Sequence, residues 1–275
     1  MTSPSRRWLV RALAVALVLV GMGVATVWAL QRQLIYFPDA EPVPAAAEAV
    51  PGARDVTLST ADGLELGAWF VPAAETDTGL AVLLAPGNGG NRLSRTGLAE
   101  ELSRRGLAVL LMDYRGYGGN PGRPSEDGLA ADADAALEAL ADLGYPAART
   151  ILFGESLGSG VVAALQARTT PAGIVLRSPF TELADVGAHH YPWLPVRMLL
   201  RDRFPVSEHL AASDVPVTVI HGHHDTVVPT ELSERVADGA PSLFERVVVT
   251  GDHNDAVMFG APVADAVLRL AHHVR

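Results

Sequence analysis

From residue 80 to the C terminus, short apolar runs alternate with longer stretches that carry apolar residues at helical spacing. A short, continuous apolar run is typical of a strand that is buried on both faces. The predicted strands are residues 80–85, 108–113, 150–154, 173–176, 217–222 and 246–250, and the predicted helices are residues 94–105, 127–143, 157–167, 230–238 and 256–274. This alternation predicts an α/β domain with a mostly parallel central sheet and helices on both faces. A functional site is expected outside the carboxyl ends of the strands.

Two segments depart from this alternation. Asp62-Gly63 lies between two runs of strand-forming residues, which predicts a β-hairpin ahead of the parallel strands. Residues 179–212 interrupt the alternation after the strand at 173–176, and we interpret them as a short cap inserted over the carboxyl ends of the strands. The folded domain is therefore predicted to span residues 55–275.

An uncharged apolar run occupies residues 12–30 and directly follows a cluster of arginines. As a helix it would be ~28 Å long, close to the ~30 Å hydrocarbon thickness of a bilayer. We therefore interpret residues 1–30 as a membrane anchor, and the arginines predict that the domain lies on the extracytoplasmic side. The alternative is a signal peptide cleaved just before Thr26, after which the domain would be secreted. Residues 31–54, rich in Pro and Ala in their later part, are predicted to be a linker.

The charge and the cysteine content exclude several classes of function. The chain carries 31 acidic and 21 basic residues, for a net charge of −10. A protein this acidic repels the phosphate backbone of nucleic acids, which we exclude as main partners. The chain has no cysteine, which excludes disulfides, a thiolate nucleophile and cysteine-ligated zinc.

The sequence Gly154-Glu155-Ser156-Leu157-Gly158 stands between a predicted strand and a predicted helix. This G-x-S-x-G pattern is typical of a sharp strand-to-helix turn that exposes a nucleophilic serine hydroxyl. Glycines are needed there because the neighbouring backbone approaches too closely for a Cβ. Ser156 is thus the candidate nucleophile, and the amide of Leu157 is a candidate donor to an oxyanion.

Two further candidates follow later strands, in the chain order serine, acid, histidine. Asp225 comes just after the predicted strand 217–222, and His253 just after the predicted strand 246–250. His253 is placed to accept the serine proton, and Asp225 to orient its imidazole. Asp252 and Asp255 are rival acids, but neighbours in the chain do not easily fold back onto the ring of His253.

The loop after the first parallel strand, 86–91, is rich in glycine, and the backbone amide of Asn88 is the candidate second donor to the oxyanion. The loop fails the phosphate-binding pattern G-x-G-x-x-G, because Arg92 stands where the third glycine would be. The run 221–225 has an alternative interpretation as metal ligands. That interpretation needs further ligands, which do not follow the appropriate strands, so we predict no metal.

Several stretches in this order resemble a recognised group of serine hydrolases. They are Gln33-Leu34-Ile35-Tyr36-Phe37-Pro38, Pro86-Gly87-Asn88-Gly89-Gly90-Asn91, Asp113-Tyr114-Arg115-Gly116-Tyr117-Gly118, Pro124-Ser125-Glu126, Gly154-Glu155-Ser156-Leu157-Gly158, Ser178-Pro179-Phe180-Thr181, Gly222 through Asp225 with Val228-Pro229, and His253-Asn254-Asp255. The group comprises membrane-anchored α/β-hydrolase-domain proteins, among them protein depalmitoylases and lysophospholipid lipases, and their bacterial relatives. The resemblance implies the α/β-hydrolase fold, a triad of Ser156, Asp225 and His253, and a membrane-proximal esterase that needs no cofactor. Relatives usually carry histidine where this chain has Pro86.

The expected substrate is a small-molecule carboxylic ester or thioester with a medium or long acyl chain. The predicted cap carries many apolar side chains, and we expect Phe180, Trp193 and Leu199 to contribute to an acyl pocket. Each buried CH₂ stabilises binding by ~0.8 kcal/mol, enough to select for chain length. A serine peptidase uses the same catalytic parts and is the alternative. A non-catalytic binding protein on the same fold is a further one.

Overall fold

The computed structural model of the chain describes residues 4–74 and 76–275. Its first element is helix α1 (Pro4–Ile35). The segment Trp8–Ile35 of this helix has a mean hydropathy of 2.4 and is long and apolar enough to cross a membrane. The predicted apolar run 12–30 lies within it, and the helix continues beyond that run to Ile35. The described part of the chain buries none of the most apolar 18-residue stretch of this helix.

The residues after α1, predicted to be a linker, pack against the domain. Strand β1 (Phe37–Pro38) pairs in parallel with β5 (Gly89–Gly90) in a small two-stranded sheet. Tyr36 is buried, as is Ala46 at the start of helix α2 (Ala46–Ala49). A segment rich in Pro and Ala has no marked hydropathy period, so its sequence does not reveal that it packs on the domain.

The domain is built on an eight-stranded sheet with the order β10-β9-β8-β7-β4-β6-β3-β2. Its strands are β2 (Arg54–Ser59), β3 (Glu65–Val71), β4 (Ala81–Ala85), β6 (Ala108–Met112), β7 (Thr150–Glu155), β8 (Gly173–Arg177), β9 (Val217–Gly222) and β10 (Leu243–Val249). The predicted hairpin at Asp62-Gly63 joins β2 to β3 in antiparallel pairing. β3 is antiparallel to β6, and the remaining pairs are parallel. The predicted mostly parallel sheet is therefore confirmed.

Helices cover both faces of the sheet, as predicted. One face carries α3 (Thr96–Arg104) and α10 (Ala261–His273), and the other carries α4 (Glu126–Asp142), α5 (Leu157–Gln166) and α9 (Thr230–Gly239). Alternate residues of β4 belong to the two cores. Leu83 packs with α4 and α5, while Val82 and Leu84 pack with α3 and α10. A strand that is apolar at every position is thus buried on both sides.

Between β8 and β9 the chain forms the cap, which contains the short helices α6 (Leu183–His190), α7 (Val196–Leu199) and α8 (Val206–Leu210). The cap is fastened to α5 where Gly160 faces Phe204. A Cβ on Gly160 would lie 2.6 Å from the Cβ of Phe204, so only glycine permits this approach. The cap also meets the end of α1, where Asp202 is paired with Arg32.

Candidate active site

Ser156 occupies a strained turn between the end of β7 and the start of α5. Its backbone has φ 50° and ψ −114°, in the region of positive φ that non-glycine residues seldom adopt. The turn is tight because a Cβ on Gly154 would lie 2.6 Å from the carbonyl oxygen of Gly158. A Cβ on Gly158 would lie 2.3 Å from the carbonyl oxygen of Ala85. Both glycines of the motif are therefore required by close backbone contact.

His253 and Asp225 meet at the carboxyl end of the sheet. Nδ1 of His253 lies 2.7 Å from Oδ2 of Asp225. The other oxygen of Asp225 accepts hydrogen bonds from the amides of Val227 at 3.0 Å and Val228 at 2.7 Å. Burial would raise the pKa of Asp225, but the hydrogen bond and charge of His253 outweigh burial and lower that pKa. The carboxylate is thus held ionised against the imidazole.

The rival acids, Asp252 and Asp255, bind backbone amides of the nearby loops rather than the imidazole of His253. Asp252 accepts hydrogen bonds from the amides of Thr226 at 2.8 Å and His253 at 2.6 Å, and Asp255 accepts one from the amide of Asp252 at 2.8 Å. These contacts shape the turn that presents His253. The structure therefore places Asp225, and not these neighbours, on the ring of His253.

Ser156 and His253 face the same cavity of about 380 Å³. Its lining residues are Gly87, Asn88, Gly89, Ser94, Arg95, Glu155, Ser156, Val227, His253, Asn254 and Phe259. The cavity lies at the carboxyl ends of the parallel strands, where the strand–helix alternation predicts a site.

The glycine-rich loop after β4 lies directly against the serine turn. A Cβ on Gly87 would lie 3.6 Å from the Cβ of Ser156, and the next residue, Asn88, lines the cavity. The carbonyl of Asn88 accepts hydrogen bonds from the hydroxyl of Tyr117 and the amide of Phe37. Leu157 is the first residue of α5, and amides in the first turn of a helix have no partner within that helix. Leu157 thus follows Ser156 directly in the chain, and Asn88 lines the same cavity as Ser156.

A buried ionic network beneath Ser156 escaped the sequence analysis. Glu155 receives two hydrogen bonds from Arg95, at 2.6 and 3.1 Å, and forms an ion pair with Arg177 at 2.8 Å. Burial would raise the pKa of Glu155, but the charges of Arg177 and Arg95 outweigh it and lower the pKa to about 2. Arg177 also donates to the backbone carbonyl of His253 at 2.9 Å and lies over the ring of Phe259. The sequence does contain one indication of this network, which is a glutamate at the end of an apolar strand. Such a glutamate is expected to be buried, and a buried charge requires a partner of opposite charge.

The side chains expected to form the acyl pocket lie elsewhere. Phe180 is buried in the core, Trp193 is exposed on the cap, and Leu199 is half-buried there. None of the three is among the residues that line the described cavity, which no residue of the cap reaches. This expectation needs correction, because hydropathy does not distinguish side chains that line a pocket from those that pack a core or face outwards.

Comparisons with known proteins agree with this architecture. A family model described as serine aminopeptidase, S33 (Hydrolase_4), matches residues 77–205. The uncharacterized protein Rv2307c of Mycobacterium tuberculosis is 51% identical over 258 residues, which cover 93% of this chain and 92% of that protein. The uncharacterized membrane protein YNL320W of Saccharomyces cerevisiae is 29% identical over 251 residues, which cover 86% of this chain and 87% of that protein.

The structure of the Pyrococcus furiosus esterase Pf2001 superposes with a TM-score of 0.67 at 20% identity, covering 87% of this chain and 97% of that one. At this identity the likeness concerns the fold. Together with the matching family model and the strand order of the sheet, it establishes that the chain belongs to the α/β-hydrolase superfamily.

Proposed function

We propose that this protein is a serine hydrolase that cleaves carboxylic esters or thioesters through an acyl-enzyme. The observation that carries the proposal is the 2.7 Å contact between His253 and Asp225, with His253 and Ser156 on one cavity. The family match supports hydrolase activity in general. The strained turn at Ser156 supports its role as nucleophile.

In the proposed reaction, Oγ of Ser156 attacks the carbonyl carbon while Nε2 of His253 takes its proton. The amides of Leu157 and Asn88 donate hydrogen bonds to the oxyanion, and Asp225 stabilises the imidazolium. His253 then gives the proton to the leaving alcohol or thiol, and the acyl group remains on Ser156. A water molecule, deprotonated by His253, attacks this ester, and His253 returns the proton to Oγ of Ser156 as the carboxylic acid leaves. The reaction uses only groups of the chain and water.

The name of the matching family favours a second candidate, an aminopeptidase. Such an enzyme would need a carboxylate to hold the substrate's ammonium group. Among the described residues that line the cavity, Glu155 alone carries a carboxylate, and Arg95 and Arg177 already neutralise it. This arrangement favours an uncharged ester over a peptide N terminus.

We also propose that α1 anchors the enzyme in a membrane. Its segment Trp8–Ile35 has the required length and hydropathy, and the similarity to a membrane protein of yeast supports the anchor. The arginines before the apolar run favour an extracytoplasmic domain. The full-length protein should stay with membranes through high-salt and carbonate washes, whereas a soluble product that begins near Thr26 would establish a cleaved signal peptide.

A fluorophosphonate probe tests the chemistry. The wild-type protein should be labelled on Ser156, and Ser156→Ala should lose both labelling and ester hydrolysis, a fall of ~10⁶ in turnover. Acyl esters of graded chain length and short peptide amides should be compared on the same preparation. Undiminished hydrolysis by Ser156→Ala would refute the nucleophile. A preference for peptide amides would favour the aminopeptidase.

A further inference from the structure

The C-terminal end of α1 is bound to the cap by a buried polar cluster. Arg32 donates two hydrogen bonds to Asp202, both at 2.9 Å, and the hydroxyl of Tyr36 donates to the same carboxylate at 2.9 Å. Gln31 donates to the carbonyl of Leu199 at 3.1 Å and accepts a hydrogen bond from the amide of Arg201 at 2.7 Å. Because Asp202 is buried, these charge-assisted bonds fix the cap to the helix.

This contact fixes the position of the cap along the axis of α1. The guanidinium of Arg201 lies 5.1 Å from the ring centre of Trp28. At ~1.5 Å per residue, Trp28 lies ~10 Å before Ile35 along the helix axis, near the end of the apolar run 12–30. Tryptophan and arginine at the end of a membrane-spanning helix are typical of the bilayer interface. Residues 199–201 are therefore at the level of the lipid headgroups if α1 spans the membrane.

The cap residues next to this contact present apolar side chains to the outside. Met198 is 86% exposed and Trp193 is 78% exposed, and Tyr191 stacks edge-to-face on Trp193 with ring centres 6.4 Å apart. Leu34, in the last turn of α1, and Phe37, in β1, are exposed as well. Two arginines of the cap, Arg197 and Arg203, are paired with Glu182. The exposed cap residues Trp193 and Met198 are thus apolar, and Met198 directly precedes Leu199, whose carbonyl accepts a hydrogen bond from Gln31 of α1.

The cavity rim is attached to the same helix end. Nδ2 of Asn88 donates to the carbonyl of Ile35 at 2.7 Å, and the amide of Phe37 donates to the carbonyl of Asn88 at 2.8 Å. Asn88 and Gly89 line the cavity, and Gly89 pairs with Phe37 in the small sheet. The opening of the cavity is therefore tied to the residue at which the apolar helix ends.

We infer that the outer edge of the cap, formed by Tyr191, Trp193 and Met198, is a lipid-contacting surface that lies in the bilayer interface beside α1. The occupant of this surface is the bilayer itself, and the enzyme draws its acyl ester from that bilayer into the cavity at its rim. This inference rests on the proposed anchor and on the proposed ester chemistry. The attachment of the cap to the end of α1, through residues that follow Met198 in the chain, favours lipid over a protein partner.

The absence of cysteine from the chain permits a direct test of depth. Met198→Cys places a single thiol on the cap edge, and Leu243→Cys places one on an exposed apolar side chain at the amino end of β10, away from the cavity. Each full-length variant is labelled with the polarity-sensitive fluorophore NBD and reconstituted into vesicles of phosphatidylcholine and phosphatidylglycerol. We expect the label at 198 to shift to the blue and to be quenched by lipid with a nitroxide near its headgroup, while the label at 243 behaves as in water. A label at 198 that remains as in water, in protein that floats with the vesicles, would overturn the inference.

Activity provides the second readout. The double variant Trp193→Ser/Met198→Ser should hydrolyse a vesicle-embedded long-chain ester at least about fivefold more slowly, because it loses apolar contact with lipid. Its hydrolysis of a soluble acetate ester should be unchanged, and Leu243→Ser should leave both rates unchanged. An equal fall in the rate of hydrolysis of both substrates would contradict the lipid contact. It would indicate that these cap residues are needed for folding instead. If Ser156→Ala retains soluble-ester hydrolysis, the proposed chemistry fails, while the depth measurement still decides the lipid contact.

Discussion

Nη1 of Arg177 donates a hydrogen bond to the backbone carbonyl of His253 at 2.9 Å, and this bond joins the end of β8 to the loop after β10 across the intervening strand β9. Arg177 is completely buried and is also paired with Glu155, the residue before Ser156. One guanidinium therefore contacts both segments that carry the proposed nucleophile and base. Its position suits a residue that keeps the two at a constant separation.

Arg177→Gln should lower both stability and turnover. The substitution leaves Glu155 with one guanidinium instead of two, and removing a partner from a buried ion pair costs about 3 kcal/mol. We expect kcat to fall more than KM changes, with partial rescue in Arg177→Lys, because the loop that carries His253 loses an anchor. Arg269→Gln, which breaks an exposed pair with Glu245, should change stability by less than about 1 kcal/mol. An Arg177→Gln protein with wild-type kcat would refute the positioning role.

Asp225→Asn should lower turnover by ~10⁴ because the amide no longer stabilises the imidazolium and permits the wrong tautomer of His253. The matched control is Asp252→Asn, which changes the neighbouring acid that binds backbone amides of the same loop. Its effect on kcat should be much smaller. Steady-state hydrolysis of a soluble ester by the two variants compares them directly. If Asp252→Asn were the more damaging change, Asp225 would not be the orienting acid.

Glu155 should make stability depend on pH. Its pKa is lowered in the folded state to about 2 from its ordinary value of 4.5, so its contribution is present above pH 4.5 and is lost as the pH falls towards 2. The loss amounts to about 3 kcal/mol. In Glu155→Gln, the difference in melting temperature from the wild type should be largest near neutral pH and should shrink across this interval. A constant difference from pH 7 to pH 2 would contradict the lowered pKa.

Gly158→Ala should prevent the serine turn from forming as it does in the wild type. The added Cβ would lie 2.3 Å from the carbonyl oxygen of Ala85, and backbone on both sides cannot move apart without disturbing the sheet. Gly97→Ala is the matched control, since an added Cβ there meets nothing within 4 Å. That control lies in helix α3 and should be neutral or stabilising by up to about 1 kcal/mol. Melting temperature and fluorophosphonate labelling of both variants test the contrast.

The sequence by itself determined the α/β class, the hairpin and the position of most parallel strands. Continuous apolar runs such as that in β4 are required by burial on both faces of a parallel sheet, so the pattern directly reports the architecture. It also placed Ser156, Asp225 and His253 at the ends of three strands. Because parallel strands end at the same edge, local position in the chain was enough to predict that these residues lie near one another.

Only the tertiary structure decided which side chains surround the cavity. Arg95 and Arg177 are far apart in the chain, and their common partner Glu155 is apparent only when three elements pack together. Trp193 turned outwards although its hydropathy suits a pocket. The contact between Arg32 and Asp202 likewise joins helix α1 to the cap across most of the chain. Hydropathy periodicity reports the face of one element at a time, whereas these contacts depend on how separate elements are oriented, which only three-dimensional packing determines.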